Sequence, residues 1–369
     1  AWELARAGEP GPVVLWIGEF GNEGPVGGPE GRDRMGSDSQ DFSSRADVQD
    51  LMSRVRASRR PVFFLGLGAV DASDLLREVA ETLNAPVITT PSARGILPED
   101  HPLSLGFDVH GGGLDCLNEL LGSTDLILAL GCKLGHNGTG GFRLTLPKEF
   151  LVHVNTDPNA LGANYPASSE ICASVRDLAV VLQGVGRGEV HGLSSTWDST
   201  EIEEWKGRLA SAPRPGPPEP LVPAVPSGKI SEVLGILRSE LPRDAIVVTD
   251  SGFHQTLVRR YFPILSPRGL ITPSDFQSMG FGLPAAIGAA VAVPDRKVVV
   301  VVGDGGLAMS GMELLSLRRE RLPITVVVFN DGHLNLIRLQ QERDFGHAHA
   351  TGIDGPDLEG LAAAVGGDF

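Results

Sequence analysis

Several residue types that often define a protein's class are scarce in this chain of 369 residues. It has three scattered cysteines, which form neither a disulfide framework nor a zinc-binding spacing. The formal net charge is −15, so the chain lacks the basic face of a nucleic-acid-binding protein and the polybasic segment of a membrane anchor. No apolar run approaches the roughly 20 residues that span a bilayer. We therefore expect a cytoplasmic protein without nucleic-acid or membrane partners, its thiols buried: Cys116, Cys132 and Cys172.

Proline is concentrated in one stretch, and this concentration suggests a domain boundary. The segment "SAPRPGPPEPLVPAVPSGK" (Ser211 to Lys229) sustains neither a helix nor a central strand and is typical of an extended interdomain linker. The preceding segment 184–199 is rich in glycine and serine and resembles a loop. We therefore predict one domain at 46–182, a linker at 183–229 and a second domain at 230–369.

Short apolar runs alternate with helix-like segments in both predicted domains. The strand-like runs are "PVFFLGLGA", "APVITT", "DLILALG" and "FLVHVNTD" in the first domain, and "AIVVTDSG", "KVVVVVGD" and "ITVVVFND" in the second. All-apolar strands separated by helices indicate parallel sheets that are covered on both faces. The predicted fold class is α/β, with two doubly wound parallel-sheet domains. Ligands of such sheets bind outside the carboxyl ends of the strands.

Two strand-like runs of the second domain end in an acidic residue. Asp304 lies in Gly-Asp-Gly-Gly after the run Val298–Val302, and Asp331 lies in Asn-Asp-Gly after the next run. Glycines and a helix N-terminus suit a phosphate, but an aspartate beside a phosphate is favourable only with a divalent cation between them. If the strands are neighbours, their ends lie roughly 5–10 Å apart, which suits one shared Mg²⁺. The simpler alternative is a helix cap at Asp304 and an ordinary turn at Asp331.

These residues resemble the signature of thiamine-diphosphate enzymes, and 27 positions separate Asp304 from Asp331. "TDSGFHQ" and "FQSMGFGLPAAIGAA" resemble the diphosphate-contact and cofactor-core segments of the acetolactate synthase family. "RPVFFLGLGA", "APVITTPSARGILPEDHPLSLG" and "TDLILALG" resemble its central domain, and "AGEPGPVVLWIGE" resembles the last strand of its N-terminal pyrimidine-binding domain. The resemblance implies a remnant of that N-terminal domain at 1–20, a central Rossmann-like domain at 46–182 and a diphosphate-binding domain, truncated at its C-terminus, at 230–369.

The resemblance also implies the site residues. Mg²⁺ would be held by the side chains of Asp304 and Asp331 and by the backbone carbonyl of His333, although the family usually has asparagine at the position of Asp331. Met279 matches the apolar residue over which thiamine bends, and its alternative role is to fill the core. For His254 the alternative is a solvated or core histidine. The implied cofactor-binding residues are Gly252, Phe253, His254, Gln255, Met279, Gly303, Asp304, Gly305, Gly306, Asp331, His333 and Leu334.

The implied activity is that of a thiamine-diphosphate-dependent and Mg²⁺-dependent lyase or transferase. It decarboxylates a 2-oxo acid such as pyruvate and releases the resulting carbanion or passes it to an acceptor. The family's catalytic glutamate belongs to the pyrimidine-binding domain of a neighbouring subunit, so we assign no catalytic residue and expect this chain alone to be incomplete. The working unit would be a homodimer, a homotetramer, or a complex with a partner chain that carries the pyrimidine-binding domain. The alternative is a non-catalytic cofactor-binding subunit or half of a split enzyme.

Two further features leave alternatives open. Gly66-Leu67-Gly68 suggests a dinucleotide site and a nicotinamide dehydrogenase, but Asp71 occupies the third glycine position of the fingerprint. FAD in the central domain is not favoured, because "CKLGHNGTGG" stands where flavin-binding relatives tend to carry Asp-Arg. The segment after Asp331 offers three candidate substrate contacts, for which a solvated helix face is the simpler interpretation: Gln340, Gln341 and Arg343.

Overall fold

The computed structural model describes residues 42–107, 109, 112–187, 195–212, 229–274, 276–355 and 357–368. These residues form two parallel β-sheets, one of six strands and one of four, with interleaved helices. The predicted α/β fold class is therefore confirmed. The predicted remnant at 1–20 lies outside the described residues. No helix in the described ranges is both long enough and apolar enough to cross a membrane.

The central domain is built on the six-stranded sheet, with strand order β3-β2-β1-β4-β5-β6. All residues of β1, β4 and β5 are buried, because helices cover both faces of the sheet. This strand order is that of dinucleotide-binding folds, which agrees with the predicted Rossmann-like domain. Its strands are β1 (Pro61–Leu65), β2 (Val87–Thr89), β3 (Ser104–Gly106), β4 (Leu126–Leu130), β5 (Leu151–Asn155) and β6 (Ser169–Cys172), and its helices are α1 (Ala46–Ala57), α2 (Ser73–Leu83), α3 (Gly112–Gly122), α4 (Val175–Arg187) and α5 (Ser199–Ser211).

The segment 183–229 is not wholly a linker, which corrects the sequence-based prediction. Helix α4 continues to Arg187, and α5 occupies Ser199–Ser211. Trp197, Ile202, Trp205 and Leu209 are buried in the hydrophobic core of the central domain. This apolar spacing outweighs the local abundance of glycine and serine that suggested a loop. The proline-rich stretch 213–228 lies outside the described residues.

The second domain is built on the four-stranded sheet, with strand order β10-β9-β7-β8. Its strands are β7 (Ile246–Thr249), β8 (Leu270–Ile271), β9 (Val298–Gly303) and β10 (Ile324–Phe329). Its helices are α6 (Ile230–Glu240), α7 (Phe253–Tyr261), α8 (Gly282–Ala292), α9 (Asp304–Ser310), α10 (Leu314–Glu320), α11 (Asn335–Phe345) and α12 (Leu358–Val365). The valine run Val298–Val302 is fully buried at the centre of this sheet, as predicted. The carboxyl ends of its parallel strands therefore share one edge of the domain.

A buried ion pair joins the two domains. Arg94 of the central domain pairs with Glu99 at 2.5 Å, and their side chains are 3% and 13% exposed. The Arg94 guanidinium also donates to the backbone carbonyl of Phe262 at 2.8 Å, and Glu99 accepts a bond from the Ile264 amide at 2.9 Å. The pair thus fastens the central domain to the segment that follows α7.

Candidate functional site

Three neighbouring strands of the second sheet are each followed by an aspartate. Asp250 follows β7, Asp304 follows β9, and Asp331 comes after β10. Strand β9 lies between the other two, and Phe329 of β10 pairs with Gly303 of β9. The prediction that the ends of β9 and β10 are neighbours is confirmed. Asp250 is a third acidic residue at this edge, and the sequence analysis did not single it out.

Asp304 connects the two predicted strand ends. It is only 2% exposed, and its Oδ1 accepts a bond from the Gly305 amide at 2.8 Å. Its Oδ2 accepts a bond from the Gly332 amide at 2.7 Å, and Gly332 belongs to the turn after β10. Each oxygen therefore retains an unused lone pair, so this buried carboxylate can still bind a cation.

Asp331 is exposed and is fixed within its own turn. Its two carboxylate oxygens accept bonds from the His333 amide at 3.0 Å and from Asn335 Nδ2 at 2.7 Å. The described residues contain no cluster of three or more His, Cys, Asp or Glu side chains suited to a metal. A cation at this edge would therefore depend on two carboxylates and a backbone carbonyl, and Mg²⁺ accepts such a set when a substrate phosphate completes it. The metal-ligand role of Asp304, Asp331 and His333 stays a prediction.

A cavity of about 690 Å³ lies at this edge of the sheet. Eleven of the twelve predicted cofactor-binding residues line it: Gly252, Phe253, His254, Met279, Gly303, Asp304, Gly305, Gly306, Asp331, His333 and Leu334. The exception is Gln255, which is buried and donates its side-chain amide to Thr272 Oγ1 at 2.8 Å. The structure thus brings the predicted set together around one space, while the binding role of each residue stays a prediction.

Glycines keep part of this cavity open. A Cβ atom on Gly305 would lie 3.0 Å from Leu334 Cδ2, 3.2 Å from Met279 Cε and 3.3 Å from Ile353 Cδ1. These are the mobile ends of apolar side chains, and two of them belong to residues that line the cavity. A methyl group at Gly305 would therefore occupy space that the backbone now leaves to a ligand.

His254 lines the cavity and has a buried ring nitrogen without a hydrogen-bond partner among the described residues. The residue is 6% exposed, and its Nε2 has no hydrogen-bond partner among the described residues. Burial lowers the pKa of His254 to about 4, although the Asp250 carbonyl and the Asp304 charge oppose this shift. A buried, unpaired ring nitrogen is unfavourable. A ligand oxygen in the cavity would remove this cost, so the site fits an oxygen-rich ligand such as a diphosphate.

Asp250 has a structural role that sequence reasoning missed. Its side chain is fully buried and accepts bonds from the amides of Ser251, Gly280 and Phe281 at 2.7, 3.0 and 3.2 Å. Burial raises the pKa of Asp250, and these backbone amides oppose that shift. The carboxylate thereby fixes the turn between Met279 and helix α8. The available signal was its position at a strand exit, the same signal that identified Asp304 and Asp331.

The structure also places the three candidate substrate contacts on α11. Gln340 lines the cavity. Gln341 accepts a bond from the His349 amide, and Arg343 pairs with Asp344 at 2.7 Å on the surface. Gln277 also lines the cavity, although sequence reasoning did not select it; it lies two residues before Met279.

The glycine motif of the central domain has a structural explanation. The amides of Gly66 and Gly68 donate to the carbonyls of Leu130 and Gly131, each at 2.9 Å. A Cβ atom on Gly66 would overlap the Gly131 carbonyl oxygen. These glycines therefore allow two backbone segments to approach closely, and their amides are not free to bind a phosphate. This arrangement gives no support to a dinucleotide site built on that motif.

Two family models match the chain. Residues 48–183 match the central domain of thiamine pyrophosphate enzymes. Residues 250–369 match the C-terminal thiamine pyrophosphate (thiamine diphosphate) binding domain of the same enzymes.

Similar proteins extend the match over nearly the whole chain. The probable acetolactate synthase large subunit of Methanocaldococcus jannaschii is 29% identical over 386 residues, which cover 99% of this chain and 63% of that protein. The acetolactate synthase isozyme 1 large subunit of Escherichia coli is 31% identical over 346 residues, which cover 92% of this chain and 58% of that protein. The acetolactate synthase large subunit of Parasynechococcus marenigrum is 31% identical over 380 residues, which cover 100% of this chain and 59% of that protein. The chain thus spans about 60% of the length of these relatives.

Proposed function

The chain belongs to the thiamine pyrophosphate enzymes of the acetolactate synthase-like family, and from this premise we propose that the cavity at the β7, β9 and β10 exits binds thiamine pyrophosphate together with Mg²⁺. The observation that carries the proposal is the buried Asp304 carboxylate, which joins two strand exits and belongs to the same cavity lining as His254, whose Nε2 has no hydrogen-bond partner among the described residues. If a diphosphate binds beside the buried Asp304 carboxylate, the two negative charges repel each other, and a divalent cation between them would remove this repulsion.

Different residues around Asp304 would bind the metal ion and the diphosphate. The Asp304 and Asp331 carboxylates and the His333 carbonyl would hold Mg²⁺, and the diphosphate oxygens would complete its coordination. His254 Nε2 would donate a hydrogen bond to a diphosphate oxygen, which requires a ring proton on Nε2 in addition to, or in place of, the one directed at the Asp250 carbonyl. Asp331 adds one negative charge compared with the family's asparagine, which strengthens the attraction for Mg²⁺.

The apolar side of the cavity would hold the organic part of the cofactor. Met279 and Leu334 line it beside Gly305, and Leu336 and Ile337 extend this apolar wall along α11. When bound, thiamine pyrophosphate supplies the electron sink that lets a 2-oxo acid lose its carboxylate as CO₂. The chain's own part is to fix the cofactor's orientation and exclude water from the reacting carbon.

We infer that the reaction is decarboxylation of a 2-oxo acid, followed by transfer of the remaining fragment to an acceptor or by its release. The names of the relatives, all acetolactate synthases, support a pyruvate-like substrate. Gln340 lines the cavity and is the candidate substrate contact on this chain. The general acid that activates the cofactor would come from a pyrimidine-binding domain, so the active assembly would be a homodimer, a homotetramer or a complex with a second polypeptide.

Calorimetric titration of thiamine pyrophosphate into the full chain, with Mg²⁺ and after chelation, tests the proposal. We expect binding that requires Mg²⁺ and that weakens at least about tenfold in Asp304→Asn, because a charge-assisted contact contributes roughly 1.5–3 kcal/mol. Asp331→Asn should retain binding, because an amide oxygen can replace the carboxylate oxygen. Asp74→Asn is the matched control, since that carboxylate is 88% exposed and belongs to the central domain.

The proposal fails if chelation leaves the affinity unchanged or if Asp304→Asn binds as tightly as the wild type. Thermal unfolding of each variant shows whether a loss of binding reflects a loss of fold.

A further inference from the structure

A second cavity lies between the two domains. Its volume is about 550 Å³, and we call it the junction cavity. The central domain contributes Phe107 and, from α5, Lys206 and Leu209; the second domain contributes Arg259 and Arg260 at the end of α7. The Arg94–Glu99 pair forms part of its wall.

Positive charge is concentrated in this cavity. Among the described residues of its lining, four side chains are cationic (Arg94, Lys206, Arg259 and Arg260) and one, Glu99, is a carboxylate. Glu99 is already engaged by Arg94. The chain as a whole carries a net charge of −15, so this concentration runs against its overall charge balance. A cleft lined by one sign of charge attracts ions of the opposite sign.

Arg259 is the least compensated of these cations. Its Nε is buried without a hydrogen-bond partner among the described residues, and its guanidinium makes one long contact, 3.5 Å to Thr272 Oγ1. Burial lowers the pKa of Arg259 to about 10, and the nearby Arg94 charge adds to this shift. Burying an unpaired charge is unfavourable, and a bound anion would compensate it.

The neighbouring cations are also available to an anion. The Nε atom of Arg260 is buried without a hydrogen-bond partner in the described part of the chain, and the guanidinium lies over the Tyr261 ring, 5.1 Å from its centroid. Lys206 donates to a backbone carbonyl, that of His101, at 2.9 Å, and no carboxylate among the described residues pairs with its charge. Guanidinium and ammonium groups placed together suit a phosphate, which accepts several hydrogen bonds and carries more than one negative charge.

We propose that the junction cavity is a binding site for a small phosphorylated organic molecule, whose phosphate contacts Arg259, Arg260 and Lys206 and whose apolar part packs against Phe107 and Leu209. The cavity volume lies within the range of about 300–1,000 Å³ for small-molecule sites. Its aromatic and aliphatic walls would bind the apolar part, and Arg94 already lies over the Phe107 ring, 4.2 Å from its centroid.

This site is separate from the candidate thiamine pyrophosphate cavity. Helix α7 begins beside that cavity at Phe253 and His254 and ends at the junction cavity with Arg259 and Arg260. Leu257 also lines the first cavity and Thr256 lines the junction cavity, so both cavities border this nine-residue helix, but they share no lining residue among the described residues. Binding at the junction cavity requires neither Mg²⁺ nor Asp304, and a failure of one proposal leaves the other intact.

Thermal unfolding and calorimetry of the full chain with phenyl phosphate, in metal-free Tris buffer, test the site. For the wild type we expect saturable binding and a rise in Tm of roughly 2–8 °C near saturation. Arg259→Met should bind at least about tenfold more weakly, because a charge-assisted contact is lost. Without ligand, its Tm should equal or exceed that of the wild type, because an uncompensated buried charge is removed.

Two controls locate the effect. Arg319→Met removes an exposed arginine that pairs with Glu320, and it should respond to phenyl phosphate as the wild type does. Asp304→Asn should also respond normally, which separates this site from the thiamine pyrophosphate cavity.

Several outcomes overturn the proposal. One is a wild type that gains no stability from millimolar phenyl phosphate; another is an Arg259→Met variant that keeps the full response. A lower Tm of ligand-free Arg259→Met would show that another part of the chain already compensates this charge. Phenol or benzoate binding as tightly as phenyl phosphate would show that the site does not select a phosphate.

Discussion

Adjacent glycines at the start of α9 should respond to different degrees to the same substitution. Gly306→Ala would place a methyl group on Asp250 Oδ2, well inside van der Waals contact. Asp250 is fully buried and held by the amides of Ser251, Gly280 and Phe281, so it cannot move without breaking these bonds. Gly305→Ala would instead touch the ends of apolar side chains at 3.0–3.3 Å, and these can shift by a few tenths of an ångström.

The expected magnitudes follow from these contacts. Overpacking costs about 1–3 kcal/mol, and disturbing bonds to a charged group costs about 1.5–3 kcal/mol. Replacing a helical glycine by alanine recovers about 0.5–1 kcal/mol. We expect Gly306→Ala to lower the free energy of unfolding by roughly 2–4 kcal/mol, a fall in Tm of about 4–16 °C. Gly305→Ala should change the free energy of unfolding by less than about 1 kcal/mol.

The second readout is cofactor binding. Gly305→Ala fills part of the cavity, so we expect it to weaken thiamine pyrophosphate binding while the fold stays intact. Thermal unfolding monitored by circular dichroism measures the first effect, and calorimetry with Mg²⁺ measures the second. A Gly306→Ala protein that unfolds within 1 °C of the wild type would refute the reasoning, because it would mean that Asp250 is not held rigidly.

Two further predictions concern the central domain and its junction with the second domain. Burial lowers the pKa of His153, so the neutral ring in the folded state contributes stability that is present above its unfolded pKa of about 6.5 and is lost as the pH falls. Between pH 7 and 5, denaturant unfolding should show a smaller loss of unfolding free energy for His153→Leu than for the wild type. An equal loss in both proteins would contradict the role assigned to the neutral His153 ring. Arg94→Met should lower the free energy of unfolding by about 3–5 kcal/mol in the same assay, because it leaves the Glu99 carboxylate buried without its cation. The double variant with Glu99→Gln should recover part of that loss, and full additivity of the two changes would show that the residues do not act as a pair.

The sequence predicted three of the four strands of the second sheet, β7, β9 and β10, because they carry a strong and simple signal, whereas the two-residue strand β8 was not predicted. Val298–Val302 has five valines in succession, which only a strand covered on both faces accommodates readily. Once β9 and β10 were recognised, their parallel pairing followed from the helical connection between them, which the structure divides into α9 and α10. The same pairing brings Asp304 to the turn after β10. The location of the candidate site could be predicted because the cavity lies at strand ends, whose positions the topology determines.

Other elements gave weaker signals. Helix α5 was missed because the residues before it are glycine-rich and serine-rich, although Trp197, Trp205 and Leu209 place its apolar face in the core. Helix α7 has only nine residues, too few to show a clear periodicity. The glycines at 66 and 68 resembled a phosphate-binding pattern, but they serve a close backbone contact that involves residues more than 60 positions away. Long-range packing of this kind leaves no local mark in a sequence.

Three strand-exit aspartates show why residue type and position alone do not determine a role. Asp250 uses both carboxylate oxygens to accept bonds from three backbone amides, so its charge is committed to holding the turn before α8. Asp304 accepts one bond at each oxygen and retains capacity for a cation. Asp331 is exposed and is held by its own turn, so it can meet a cation from the solvent side. The distinction rests on how many amides each carboxylate already satisfies, which depends on the path of the neighbouring loops. A metal at this edge would therefore be held by Asp304 and Asp331, while Asp250 positions the backbone on which the cofactor would rest.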